Sequence, residues 1–208
     1  IFKLISNFII DNENSLENSE FIIKNEFSIP FLVDSIDTSN AKRKIAALQI
    51  LSKLATLHTK LMQKAFLINQ ERLVQLLTII NKEDKTILST FLSIVPILVQ
   101  DNGDFQLLFA FNLIGNLMEY VKNKLPFAIS ALSSLLYKNE KSQNLFLNND
   151  NLKIIKDLLL NNDMETISLL FDLLKYNKTN GLREMLQETG ITKIILENAL
   201  NGSPDFIK

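Results

Sequence analysis

The side chains best suited to catalysis are few in this chain. One imidazole, His58, has no second histidine with which to share a metal. Cysteine is absent, so there is no thiolate nucleophile, no disulfide framework and no Cys-ligated zinc. His58 reads as a surface or inter-helix residue rather than a ligand. Neighbouring carboxylates occur at Glu83-Asp84, but general acid–base work needs a shared pocket. At a helix joint such a pair reads as a cap and a solvated charge. The nucleophile elbow GxSxG, the phosphate loop GxxxxGK, the dinucleotide motif GxGxxG and the zinc motif HExxH are all missing. The chain therefore reads as a non-enzyme with no catalytic residue, no metal site and no cofactor.

Binding chemistry has more material. Lys42-Arg43-Lys44 opens a stretch, Thr38 to Gln70, that contains no Asp or Glu. It reads first as a solvated helix start with ordinary surface lysines, then as a contact for an acidic protein partner, and last as a nucleic-acid patch. The formal net charge of -1 weighs against nucleic acid, which needs an excess of Lys and Arg to displace counterions. A protein partner is expected. Asn177-Lys178-Thr179 and Asn201-Gly202-Ser203 match the N-glycosylation pattern, as chance alone provides in a chain this rich in Asn.

The elements that must position these groups are helices. Gly and Pro number only 5 and 4, too little punctuation for an all-β protein of this length. Leu48, Leu51, Leu54 and Ala55, then Leu132, Leu135 and Leu136, form apolar stripes of helical period. No run of about 18 apolar residues occurs, so no membrane span is expected. With Ile1 as its first residue, the chain reads as a piece of a longer protein or a processed form.

The helices repeat. In Phe127–Leu159 a helix with Ala128, Leu132 and Leu135 inward is followed by a polar break at Lys138 to Lys141. A short helix with Leu145, Phe146 and Leu147 comes next, then a second break at Asn148 to Asn151. A third helix carries Leu152, Ile155, Leu158 and Leu159. The anchors Leu54, Leu98, Leu135 and Leu174 stand 44, 37 and 39 residues apart, and Phe66, Phe109, Phe146 and Met185 stand 43, 37 and 39 apart. Phe8, Phe21 and Leu32 fit a degenerate first copy. A period near 40 with three helices per unit predicts an all-α, right-handed, armadillo-like helical-repeat solenoid of about four to five three-helix units. No unit can bury its own apolar face, so each stacks on the next. Residues 1–208 are expected to form one domain, with 203–208 as a tail.

Asp84, Asp150 and Asp163 are expected helix caps. The Asn-rich joints Asn148–Asn151 and Asn161-Asn162-Asp163 replace the usual Gly, since Asn tolerates the left-handed conformation, and Gly190 keeps it. Pro30 and Pro126 fit near helix starts, Pro96 should kink its helix, and Asp11 to Glu20 reads as a loop. In such a stack the third helices line the concave face. Its partner-binding residues are expected to be Arg72, Gln75, Asn112, Asn116, Lys153, Lys156 and Lys193, about one repeat apart and suited to an extended peptide or a curved domain.

The run Ala131-Leu132-Ser133-Ser134-Leu135-Leu136, with Tyr137-Lys138-Asn139, Ser142-Gln143 and Phe146-Leu147, resembles the armadillo-type nucleotide-exchange factors of the seventy-kilodalton heat-shock chaperones. In that family a repeat reads roughly ALSSLxRNN, then Gln, then FL and Gly-Leu. Here Lys138 stands for the Arg and Asn151-Leu152 for Gly-Leu, and the likeness covers about 33 of 208 residues. It implies a non-enzymatic clasp on one lobe of the chaperone's ATPase domain that favours its open form, so that ADP leaves faster. The alternative is an armadillo scaffold or regulatory domain of a larger protein that docks a peptide. A cytoplasmic location is expected, with the endoplasmic reticulum lumen also compatible.

Overall fold

The Leu and Ile stripes fold as helices, and Asn and Asp side chains start them. The computed structural model describes residues 5, 14–161, 164–176 and 180–200. Among these residues there is no strand, and the elements are α1 (Ser15–Lys24), α2 (Ser28–Ile36), α3 (Ala41–Leu57), α4 (Thr59–Ile68), α5 (Gln70–Ile80), α6 (Lys85–Leu98), α7 (Gly103–Lys122), α8 (Ala128–Leu136), α9 (Glu140–Phe146), α10 (Asn149–Leu160), α11 (Met164–Tyr176), α12 (Asn180–Glu188) and α13 (Ile191–Leu200). The chain is all-α over this span.

Polar side chains fix several helix starts. Asn40 accepts from the Arg43 amide, Asn102 from Phe105, Asn139 from Ser142 and Asn148 from Asn151. Asp84 accepts from both Thr86 and Ile87 at 2.9 and 3.0 Å, satisfying two amides that have no partner within α6. Asp84→Ala should therefore lower the unfolding free energy by about 1 kcal/mol. Urea denaturation followed by circular dichroism checks this, and Asp84→Asn should recover most of the loss.

The helices pack in two rows. In one, α3 lies on α6, α6 on α8 and α8 on α11; in the other, α2 lies on α5, α5 on α7, α7 on α10 and α10 on α13. Contacts of α2 with α3 and of α7 with α8 join the rows. Between them runs one apolar core from Ile23 to Ile194. The anchors Leu54, Leu98, Leu135, Phe66, Phe109 and Phe146 are fully buried in it. Leu174 and Met185 are partly buried against it.

Several expectations need correction. Residues 14–20 are not a loop, because α1 begins at Ser15. Phe21 is no core anchor, being 70% exposed, although Leu32 is buried; Phe8 lies outside the described residues. The unit from Lys85 to Lys122 has two helices rather than three, since α7 runs unbroken for 20 residues. The reason is local: Phe109 to Met118 carries no Asn-rich break like Asn148–Asn151, so its second and third helices fuse. Asp150 sits in the first turn of α10, and Asn148 is the cap. Asn148 is extended, not left-handed, at φ -147. The left-handed positions are Asp101, Lys124, Phe127 and Lys138, with Gly190 at φ +73 as expected. Glu140 and Lys141 belong to α9 rather than to a break. Pro96 sits in the last turn of α6. Asp163, Asn162, both glycosylation patterns' Asn residues and the 203–208 tail lie outside the described residues.

Candidate functional site

All seven expected binding residues fall on the second row of helices: Arg72 and Gln75 on α5, Asn112 and Asn116 on α7, Lys153 and Lys156 on α10, and Lys193 on α13. They divide by environment. Asn116, Lys153 and Lys193 are exposed, with Lys193 paired at 3.6 Å to Glu197 one turn on. The other four are half-buried and engaged. The Arg72 guanidinium donates to Asp34 at 2.7 Å and to Gln75 at 2.8 Å, tying α5 to α2. The Asn112 amide donates back to the Leu108 carbonyl at 2.7 Å. The Lys156 ammonium lies against Gly190, where a Cβ would stand only 3.5 Å away, at the turn into α13. Arg72, with Gln75 bonded to it, and Lys156 thus serve joints between elements, whereas Asn112 bonds within its own helix.

The same row exposes apolar side chains that sequence periodicity did not single out. Val74 on α5, Phe111 on α7, Leu160 on α10 and Leu196 on α13 are all exposed, and Phe111 is the most open at 77%. A recess of about 400 Å³ opens beside α5 between Asp37, Val74, Gln75, Thr78, Ile79, Lys82 and Glu83. Its Glu83 carboxylate is paired with the Lys44 ammonium, each 13% exposed. Glu83 is thus a paired, largely covered joint charge rather than a freely solvated one. With Asp84 as the α6 cap, the Glu83-Asp84 pair has structural work for both carboxylates.

Three of the six basic side chains in the acid-free stretch are engaged in joints. Arg43 donates to the Ser35 hydroxyl at 3.2 Å, Lys44 binds Glu83, and Lys60 donates to the Asp101 carbonyl at 3.0 Å. His58 lies between α3 and α4 with Nε2 at 2.8 Å from the Ser19 hydroxyl and 3.0 Å from the Leu16 carbonyl. It is an inter-helix residue. Among the described residues no cluster of His, Asp and Glu is placed to hold a metal, and no helix is long and apolar enough to cross a membrane.

The most regular chemistry is a buried amide ladder. Gln63 donates to the Leu98 and Gln100 carbonyls, both at 2.8 Å, and its Oε1 accepts from Asn102 at 3.1 Å. Gln106 does the same one unit on, donating to Ser134 at 2.8 Å and Tyr137 at 3.1 Å and accepting from Asn139 at 3.2 Å. Each Gln thus satisfies the carbonyl end of the next unit's first helix and the side chain that caps the following helix. Gln143, at the same offset, departs from the pattern: it donates back to Leu136 on the first helix of its own unit at 2.8 Å, and its buried Oε1 has no hydrogen-bond partner among the described residues. The signal was in the sequence: Gln63, Gln106 and Gln143 each precede a buried Phe by three residues, with the same 43 and 37 spacing as the Phe anchors. No protein-family model and no curated protein matches this chain.

Proposed function

We propose that the chain is a right-handed, armadillo-like helical-repeat solenoid and a non-enzymatic protein-interaction module. The supporting observation is that helices one unit apart pack on each other in two rows while the same glutamine contacts recur at two successive joints. A stack of this kind leaves one side of each row for a partner, and its stability comes from neighbour interfaces rather than from a single closed core. The partner face is the row α5, α7, α10 and α13. Its exposed Asn116, Lys153 and Lys193 lie among exposed Val74, Phe111, Leu160 and Leu196, a mixed polar and apolar set suited to a protein rather than to nucleic acid.

The chaperone reading rests on the resemblance at Phe127–Leu159. Asn139, Gln143 and Phe146, which carry much of it, are buried and hold a joint together. They support the architecture, so the identity of the partner has to come from a functional measurement. Release of a fluorescent ADP analogue from a heat-shock-seventy chaperone, followed in a stopped-flow instrument, provides it. The exchange-factor reading expects acceleration by the wild-type protein that is lost in Lys153→Glu/Lys193→Glu, with both proteins equally folded. No acceleration at concentrations well above micromolar, across several chaperones, rejects it and leaves a docking scaffold.

A further inference from the structure

The two tyrosines Tyr137 and Tyr176 stand 39 residues apart, at the same place in successive units, just after or at the ends of α8 and α11. Their rings meet edge to face at 5.1 Å and 72°. Lys138 adopts a left-handed backbone, φ +53, which is unusual for a residue with a Cβ. This conformation turns its ammonium over both rings, at 4.9 Å from the Tyr137 centroid and 5.1 Å from that of Tyr176. A second ammonium, Lys175, lies 5.2 Å from the Tyr176 centroid. Two cations thus share one ring, and neither forms an ion pair among the described residues.

The same edge continues through Asp101, which occupies the place of Lys138 one unit earlier and shares its left-handed backbone. Its carbonyl accepts from the exposed Lys60 ammonium at 3.0 Å. Lys60, Lys138 and Lys175 thus follow one another along this edge, with Asp101 the carboxylate whose field reaches Lys138. The hydrogen bond to Tyr137, with electrostatic help from Tyr137, Tyr176 and Asp101, holds the Lys138 ammonium above the ordinary lysine range and keeps it charged. Cation–π contact fixes an ammonium from one side and leaves other N–H donors free.

We propose that this edge, with Lys138 and Lys175 held by the Tyr137–Tyr176 pair and Lys60 beyond them, is a second binding surface that takes an extended acidic segment of a protein partner. The rings reduce the rotamer freedom that surface lysines normally lose on pairing, so carboxylates meet preset donors. Packed helices lie about 10 Å apart and an extended chain rises about 3.3 Å per residue, so an acidic side chain about every third residue matches successive units. This surface is distinct from the face formed by α5, α7, α10 and α13, and does not depend on that face binding anything.

Tyrosine fluorescence tests it directly, because the chain has 3 Tyr and no Trp. Tyr120→Phe removes the one ring outside the pair and serves as the background protein. The probe is a short peptide with Asp at every third position and Ser between; its Asn counterpart is the control. A saturable fluorescence change with the Asp peptide alone is expected. Lys138→Gln/Lys175→Gln should weaken that binding by roughly tenfold, with an unchanged far-ultraviolet spectrum. Equal binding of the Asn peptide, undiminished binding by the double variant, or no binding of the Asp peptide at low salt overturns the proposal. Tighter binding of a single-stranded oligonucleotide than of the Asp peptide overturns it as well.

Discussion

Phe105→Ala should lower the unfolding free energy by about 3–5 kcal/mol, the range for emptying a buried aromatic site. Phe105 is fully buried in the first turn of α7, where its ring lies 6.4 Å from that of Phe66 on α4 and 5.0 Å from that of Phe109. The three rings bridge the joint between two units. In the proposed helical-repeat stack, where stability is a sum of units and neighbour interfaces, a weakened joint also reduces the coupling between its two sides. Urea unfolding followed by circular dichroism should therefore show a lower midpoint and a broadened or two-step transition. Phe111→Ala is the control, since Phe111 lies on the same helix but is largely exposed, and it should stay within about 0.5 kcal/mol of wild type. An unshifted Phe105→Ala midpoint would contradict the packing described for this joint.

The apolar anchors were legible because burial acts on residue type at a fixed spacing. Leu54, Leu98 and Leu135, and Phe66, Phe109 and Phe146, kept one period and all proved buried. Where hydrophobicity and burial part company, the reading failed. Phe21 is as apolar as Phe66, yet it lies on α1 with most of its surface open. The unbroken α7 has a related cause: the repeat pattern of Phe127–Leu159 has its Asn-rich break at Asn148–Asn151, and the corresponding segment of α7 has none. Asn also proved to act mainly through its side chain. Asn102, Asn139 and Asn148 cap helices with ordinary backbones, while left-handed turns fell to Asp101, a type that tolerates the conformation, and to Lys138, which does not favour it.

The candidate binding residues show a different limit. Helical spacing placed all seven on one row, but it could not separate solvent from a neighbouring helix. Arg72 and Gln75 bond to each other, and Arg72 reaches Asp34 on α2, a partner 38 residues away in sequence. Asn116 has the same polar character and stands exposed. A polar residue on the outer side of its own helix can still be inside the stack. The glutamines make the point most strongly. Gln63, Gln106 and Gln143 are buried, which hydropathy alone would not suggest, and only their fixed offset from Phe marks them.

That buried role gives the second large effect. Gln106→Glu keeps the shape of the side chain but replaces a two-hydrogen donor with a group that, when ionised, only accepts. At this site the amide nitrogen faces the Ser134 and Tyr137 carbonyls, at 2.8 and 3.1 Å, while Oε1 already accepts from Asn139. An ionised carboxylate would set a negative oxygen against two carbonyl oxygens in a buried place. The expected cost near pH 7 is about 3–5 kcal/mol, as for an uncompensated buried charge. A proton on the new carboxyl restores one donor, so the folded state holds that proton more tightly than the unfolded chain does. Its folded pKa therefore lies above the unfolded value of about 4.3. The folded state then carries more bound proton in the interval between the two values, and stability relative to wild type falls as pH rises through it. Below about pH 4 the penalty should shrink toward that of one missing hydrogen bond, about 1–3 kcal/mol. Gln106→Leu should show no such pH dependence, since it has nothing to titrate. Urea midpoints of the three proteins from acid to neutral pH check the sign. A Gln106→Glu penalty that is flat with pH, or grows on acidification, would mean that the Gln106 amide does not face those carbonyls.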